Sequence, residues 1–125
     1  MRVFIGIKYY EDGNNVGLIE EIKEIIKTLG HEPYTFRDEE YIKDAKEMME
    51  RAFQKLNECD ILLLEASEHS FGVGIEAGYA FAKNKKIITI INESKEPSNT
   101  LKGTSNHYIS YKTISDLKEK LQKVL

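Results

Sequence analysis

Three short runs of this chain are apolar at nearly every position, and they restrict its architecture more than any other feature. Residues 2–7 (RVFIGI), 61–64 (ILLL) and 86–91 (KIITII) carry branched or apolar side chains on both parities of a strand. A strand of that kind must be covered on both faces, which is the condition of a parallel sheet layered with helices. The segments between them have helical spacing. Val16, Ile19, Ile22, Ile26 and Leu29 recur every three or four residues and are followed by Gly30, where a left-handed cap is wanted. Ala45, Met48, Met49, Ala52, Phe53 and Leu56 mark a second apolar stripe.

The remaining elements are weaker. Residues 33–36 (PYTF) read as a strand whose leading proline suits a start or an edge, and Arg37 to Tyr41 as loop. A third helix is expected from about Val73 to Lys83, a long polar loop over 92–106, and a short strand from His107 to Tyr111. Thr113 with Asp116 fits a capping box, ahead of a last helix lined by Ile114, Leu117, Leu121 and Val124. Short connections between parallel strands force right-handed crossovers. The expected fold is therefore α/β: a three-layer, doubly wound, flavodoxin- or Rossmann-like parallel sheet of five strands in the order 2-1-3-4-5, one domain over residues 1–125. In such a sheet ligands bind beyond the carboxyl ends of the strands where the order reverses. That places a site on the loops Lys8–Asn15, Glu65–Gly74 and Asn92–Gly103.

Composition removes several classes. The net charge is −3, without the basic excess that binding long nucleic acid requires. No apolar run approaches the roughly 20 residues of a membrane span. The single cysteine, Cys59, cannot form an internal disulfide, which makes a cytoplasmic setting the expectation. His31, His69 and His107 lack metal-ligand spacing, so neither a metal nor another cofactor is expected.

The richest segment is DILLLEASEHSFGVGIEAGYAFA, residues 60–82. A buried strand runs into a loop with Ser67, Ser70, Gly72 and Gly74, and a helix follows at once. Glycines permit close approach to main-chain amides, and a helix N-terminus favours an anion. The spacing G-x-G-x-x-x-G is neither a dinucleotide fingerprint nor a P-loop, and a simple tight turn accounts for it equally well. Glu76 is expected in the first helical turn, its carboxylate leaning back toward the strand ends. It either complements the helix dipole or faces a ligand. Glu65, at the end of the central strand, reads equally as a second site carboxylate or a paired structural one. His69 is a candidate for contact with a base, and Cys59 reads as packing.

Residues 70–78, SFGVGIEAG, preceded by Asp60 and an apolar strand, resemble the signature of the nucleoside 2-deoxyribosyltransferase superfamily, and within it most nearly the 2′-deoxynucleoside 5′-phosphate N-hydrolases. The likeness resumes at residues 97–103, PSNTLKG, and includes Gly6 on the first strand. It implies that Glu76 attacks the anomeric carbon of a deoxyribose and forms a glycosyl-enzyme ester. It also implies that Ser70 binds the 5′-phosphate and that Ser98 reaches the phosphate from a neighbouring subunit; a homodimer is expected, with Gly72 and Gly74 beside Ser70 holding the ligand's anionic or hydroxyl end. Gly6, Lys8 and Tyr9 complete the expected substrate-binding set, for a small nucleoside or nucleotide. The family's tyrosine on the first strand falls at Val3, its aspartate on the second helix at Ala52, and its first-loop serine and arginine are missing. Two other readings follow from these departures and from the architecture: a nucleotide-binding sensor without turnover, and a relative of the TIR-type NAD glycohydrolases. For the dimer contact, Met48, Met49, Tyr79 and Phe81 are the expected residues.

Overall fold

The computed structural model describes residues 1–125. Its strands are β1 (Arg2–Ile7), β2 (Glu32–Thr35), β3 (Ile61–Glu65), β4 (Lys86–Asn92) and β5 (His107–Tyr111). The helices are α1 (Val16–Thr28), α2 (Ala45–Glu58), α3 (Phe71–Ala82), α4 (Asn99–Thr104) and α5 (Ile114–Gln122), with a 3-10 turn at Phe36–Asp38. All five strands form one parallel sheet in the order β2-β1-β3-β4-β5. Every residue of β3 is buried, as expected of the central strand.

Strand alternation divides the core into two layers. Val3, Ile5, Ile61, Leu63, Ile88 and Ile90 point toward α1 and α5, where Ile22, Ile26, Leu117 and Leu121 meet them. Phe4, Leu62, Leu64 and Ile87 point the other way, against Leu56 of α2 and Val73, Ala77 and Ala80 of α3. Each such Leu, Ile or Phe contributes about 1.5–3 kcal/mol by leaving water. Gly30 follows α1 with φ of 87°, a conformation that a side chain resists.

Two expectations at the carboxyl end are corrected. The third helix starts at Phe71 rather than Val73, because the Ser70 hydroxyl accepts the Val73 amide at 3.3 Å and captures the turn early. Gly72 and Gly74 therefore lie within the helix rather than in the loop before it, neither with positive φ, and Glu76 is in the second turn. The stretch 92–106 is not all loop. Ser98 accepts the Leu101 amide at 3.2 Å and caps α4, which Leu101 anchors against the α2/α3 layer. One apolar residue in six gives no periodicity to read. At the N-cap of α5 the Asp116 amide donates to Thr113 Oγ1 at 3.1 Å, while the Asp116 carboxylate accepts the Lys112 amide at 2.9 Å.

Candidate active site

Glu76 projects from α3 across the top of β1. An ideal Cβ built on Gly6 would lie 2.7 Å from Glu76 Oε1 and 2.7 Å from Leu64 Cδ2. The bare glycine makes the room that the carboxylate occupies. No cation or hydrogen-bond donor of the chain neutralises that carboxylate, and burial alone pushes its pKa up from 4.5 to about 8. An acid so poised, beside the crevice between β1 and β3, can hold a proton at neutral pH or release it to a reacting centre.

The other expected residues lie on the segments that follow the carboxyl ends of β1, β3 and β4. Ser70 is engaged as the cap of α3. Gly72 and Gly74 are exposed, and a Cβ on Gly74 would meet nothing within 4 Å, so the flank of α3 is open to an incoming group. Lys8 begins the loop after β1, its ammonium 5.0 Å from the Tyr10 ring centroid. Tyr9 is exposed beneath the guanidinium of Arg37, at 5.2 Å. Ser98 makes its hydrogen bonds to Leu101 and to Tyr108, whose hydroxyl accepts the Ser98 amide at 3.0 Å, and none to Glu76 or Ser70. The Lys95–Glu68 ion pair at 3.1 Å ties the loop after β3 to the loop after β4.

The tyrosine position carried over to Val3 faces the α1/α5 layer, away from Glu76, since β1 sends odd and even residues to opposite sides. Phe4 is the aromatic residue on the Glu76 side. It is fully buried, 5.3 Å from the Tyr34 ring centroid, and carries no hydroxyl. Ala52 is buried on α2 and offers no acid.

Glu65 is the paired structural carboxylate. It points to the α1/α5 layer, receives Ser67 N at 2.6 Å, Ser67 Oγ at 2.8 Å and the Tyr111 hydroxyl, and is sealed from solvent. Ser67 Oγ also accepts the Asn92 amide at 2.9 Å. The network fastens the carboxyl ends of β3, β4 and β5 behind the site. His69 is exposed, and Cys59 is buried where burial pushes its thiol up. No three His, Cys, Asp or Glu side chains converge as a metal site would require. A surface depression of about 700 Å³ lies at the opposite end of the sheet, lined by Arg2, Lys27, His31, Glu58 and Asp60. There the Asp60 carboxylate accepts the Arg2 amide at 2.8 Å, a structural task.

Sequence reasoning passed over Arg37. It reads as loop because it belongs to no periodic pattern, yet its Nη1 donates to the Tyr10 carbonyl oxygen at 3.1 Å and brings a cation onto the first loop. Only the contact across β2 and β1 reveals it.

The sequence model of the family described as nucleoside 2-deoxyribosyltransferase matches residues 5–113. The CMP N-glycosidase of Clostridium botulinum is 25% identical, with a TM-score of 0.77 and complete coverage of both chains. A 2-deoxyribosyltransferase from Bacillus psychrosaccharolyticus superposes with a TM-score of 0.75 at 11% identity, over 94% of this chain and 90% of that one. A response regulator of Thermotoga maritima does so at 0.65 and 20% identity, over 99% and 98%. The last two likenesses are of fold alone. No curated protein gives a significant match.

Proposed function

The chain belongs to the nucleoside 2-deoxyribosyltransferase family, and from that premise we propose that it breaks the N-glycosidic bond of a 2′-deoxynucleoside or its 5′-monophosphate, with Glu76 as nucleophile. The observation that carries the reading is the Glu76 carboxylate lodged over Gly6 at the carboxyl end of β1, unpaired and poised near neutrality. As the bond to the base lengthens, positive charge spreads over the anomeric carbon and ring oxygen, and an ionised carboxylate beneath it is stabilising. One Glu76 oxygen then bonds to the anomeric carbon, the base leaves with the bond's electron pair and takes up a proton from solvent water, and a glycosyl ester remains. Water resolves the ester to free sugar, or a second base resolves it to a new nucleoside. Ser70 and the start of α3 at Gly72 hold the 5′ end, with Gly74 leaving the helix flank bare for its approach; Gly6, Lys8 and Tyr9 line the other wall. The C. botulinum protein, an N-glycosidase for a nucleoside monophosphate, supports the phosphorylated substrate.

A homodimer is part of the proposal. The outer side of α3 leaves Phe71 94% and Phe81 59% exposed, with Ile75 between them, and an apolar helix face of that kind suits a second copy. Ser98 would enter the partner's site from there. Tyr79 stacks on Phe53 at 4.4 Å and bonds Asn57 at 2.7 Å, so it serves the α2–α3 contact within one chain. Sedimentation as a monomer at micromolar concentration removes this part. No helix is long and apolar enough to cross a membrane, and a cytoplasmic setting suits the lone buried thiol.

The test is incubation with deoxynucleosides, their 5′-monophosphates, CMP and NAD, followed by chromatography for free base. Release from a nucleoside or monophosphate is expected. Release from NAD alone favours the TIR-like reading. Binding without release from any of them makes the chain a nucleotide sensor, which the missing hydroxyl at Phe4 and the missing acid at Ala52 would explain.

A further inference from the structure

The Glu76 carboxylate enters the layer between the sheet and helices α2 and α3 with nothing there to balance its charge. That layer is built of Phe4, Leu56, Leu62, Leu64, Val73 and Ala77. Gly6, over which the carboxylate lies, pairs with Leu64 across β1 and β3. No cation of the chain comes within ion-pair range of Glu76 and no donor bonds it. The polar groups packed on the layer are spent. The Tyr34 hydroxyl donates to Glu39 at 3.0 Å, and Glu39 is held by Arg51 at 3.4 Å and Lys55 at 3.8 Å. The Tyr79 hydroxyl accepts the Asn57 amide at 2.7 Å, and Cys59 lies just before β3, at the far end of the sheet. On the loops, Lys8 rests on the Tyr10 ring, Arg37 bonds the Tyr10 carbonyl, Lys95 pairs with Glu68, and Ser70 caps α3. Tyr9 and His69 face solvent, and Glu76 itself is only partly covered, so a ligand in the crevice can reach it.

Two requirements follow for whatever reacts there. An ionised carboxylate against an apolar wall is costly until a cation meets it, and the chain supplies none. A base that leaves as an anion needs a proton as its bond breaks, and Glu76 must be without its proton to attack. One substrate chemistry meets both requirements. Resting on the glycosidase reading above, we infer that the favoured substrate carries a positive charge on its base: an N-glycoside of an N-alkylated purine or of a pyridinium ring. The charge of such a base stands beside the anomeric carbon, where it attracts the carboxylate and favours its ionised form. In the reaction a Glu76 oxygen bonds to the anomeric carbon, and the electron pair of the breaking bond returns to the ring nitrogen. The base leaves neutral, with no proton required. Water then bonds to the anomeric carbon, Glu76 recovers its electron pair, and the spare proton passes to solvent. An uncharged base must instead draw a proton from water, which makes it the slower leaving group.

The test has two parts, both on the full chain. Carbocyclic nicotinamide riboside, a permanent cation with no glycosidic bond to break, is titrated calorimetrically beside its neutral benzamide isostere, in wild type and Glu76→Gln. Wild type is expected to bind the cation at least about five-fold more tightly than the isostere at about pH 9, the gap closing toward about pH 6 as Glu76 takes up its proton. Neither probe titrates in that range. In Glu76→Gln the gap is expected to be absent at every pH while the isostere still binds. A gap that Glu76→Gln retains, or no gap in wild type, overturns the inference. Base release above an enzyme-free blank is then compared for 7-methyl-2′-deoxyadenosine, 2′-deoxyadenosine and nicotinamide riboside. A cationic substrate is expected to lead in kcat/KM by at least about a hundred-fold, the span that proton donation would otherwise supply. A lead by the methylated purine assigns the charge to an alkylated deoxynucleoside, and a lead by nicotinamide riboside assigns it to a pyridinium nucleoside. Release from 2′-deoxyadenosine that matches both overturns the inference and leaves the glycosidase reading intact, since a proton donor is then at work. No release from these three or from the unmodified deoxynucleosides and their monophosphates removes both.

Discussion

Gly6 and Glu76 occupy complementary space: the volume that a side chain on Gly6 would fill is the volume that holds Glu76 Oε1, 2.7 Å from the ideal Cβ. Gly6→Ala is expected to push the carboxylate aside and to press on Leu64. Base release should fall by more than about ten-fold, with a stability loss of about 1–3 kcal/mol from overpacking. Activity assays beside thermal unfolding check both, and an active Gly6→Ala protein would show that the carboxylate's seat is not critical.

Glu76→Gln keeps the shape of the side chain and removes its nucleophilic oxygen anion. Base release is expected to vanish while nucleotide affinity stays within a few-fold, because the nucleophile acts mainly in the transition state. Retained turnover would move attention to the first-loop tyrosines, since Glu65 faces the other layer.

The raised pKa of Glu76 has two consequences with opposite signs. Attack requires the ionised form, so kcat/KM should climb about ten-fold per pH unit below 8 and level off above it. Stability should run the other way. Below about 4.5 the group is protonated both folded and unfolded; between 4.5 and 8 only the unfolded chain ionises freely, so the fold loses stability as pH rises. Glu76→Gln should therefore match wild type near pH 4 and exceed it by on the order of a few kcal/mol at pH 8 and above. Denaturant titrations at the two pH values decide it.

Ser70 carries a structural duty that must be separated from its proposed binding role. Ser70→Ala should cost about 0.5–2 kcal/mol as a lost cap and weaken monophosphate binding. Ser70→Asp caps the helix as well as serine does but sets a negative charge against the phosphate. It should keep the melting temperature and lose the monophosphate selectively, whereas a purely structural serine would tolerate aspartate in both assays.

Tyr111→Phe removes a donor from the sealed Glu65 carboxylate. Burial and the hydrogen bond to Glu65 push the Tyr111 phenol far up, so it stays a neutral donor throughout the ordinary pH range. The variant should lose about 1–3 kcal/mol by chemical denaturation. Glu76 chemistry should persist, since the network lies on the opposite face of the sheet.

Much of this molecule was legible before any coordinates. The doubly covered strands follow from apolar runs on both parities, and the expected doubly wound order β2-β1-β3-β4-β5 is the one observed. Residues 70–78 pointed to Glu76 by their motif. Local patterns carried that far because burial and periodicity are encoded residue by residue. What tertiary structure alone decided are relationships between segments distant in sequence. The glycine of β1 makes room for a carboxylate seventy residues later. Strand parity turns Val3 and Glu65 away from Glu76. A serine hydroxyl starts α3 at Phe71 despite its glycines. Arg37 crosses from β2 to the first loop. Each depends on which side chains share a space, and no periodicity records that, because the physical cause is packing between elements that the chain brings together only on folding.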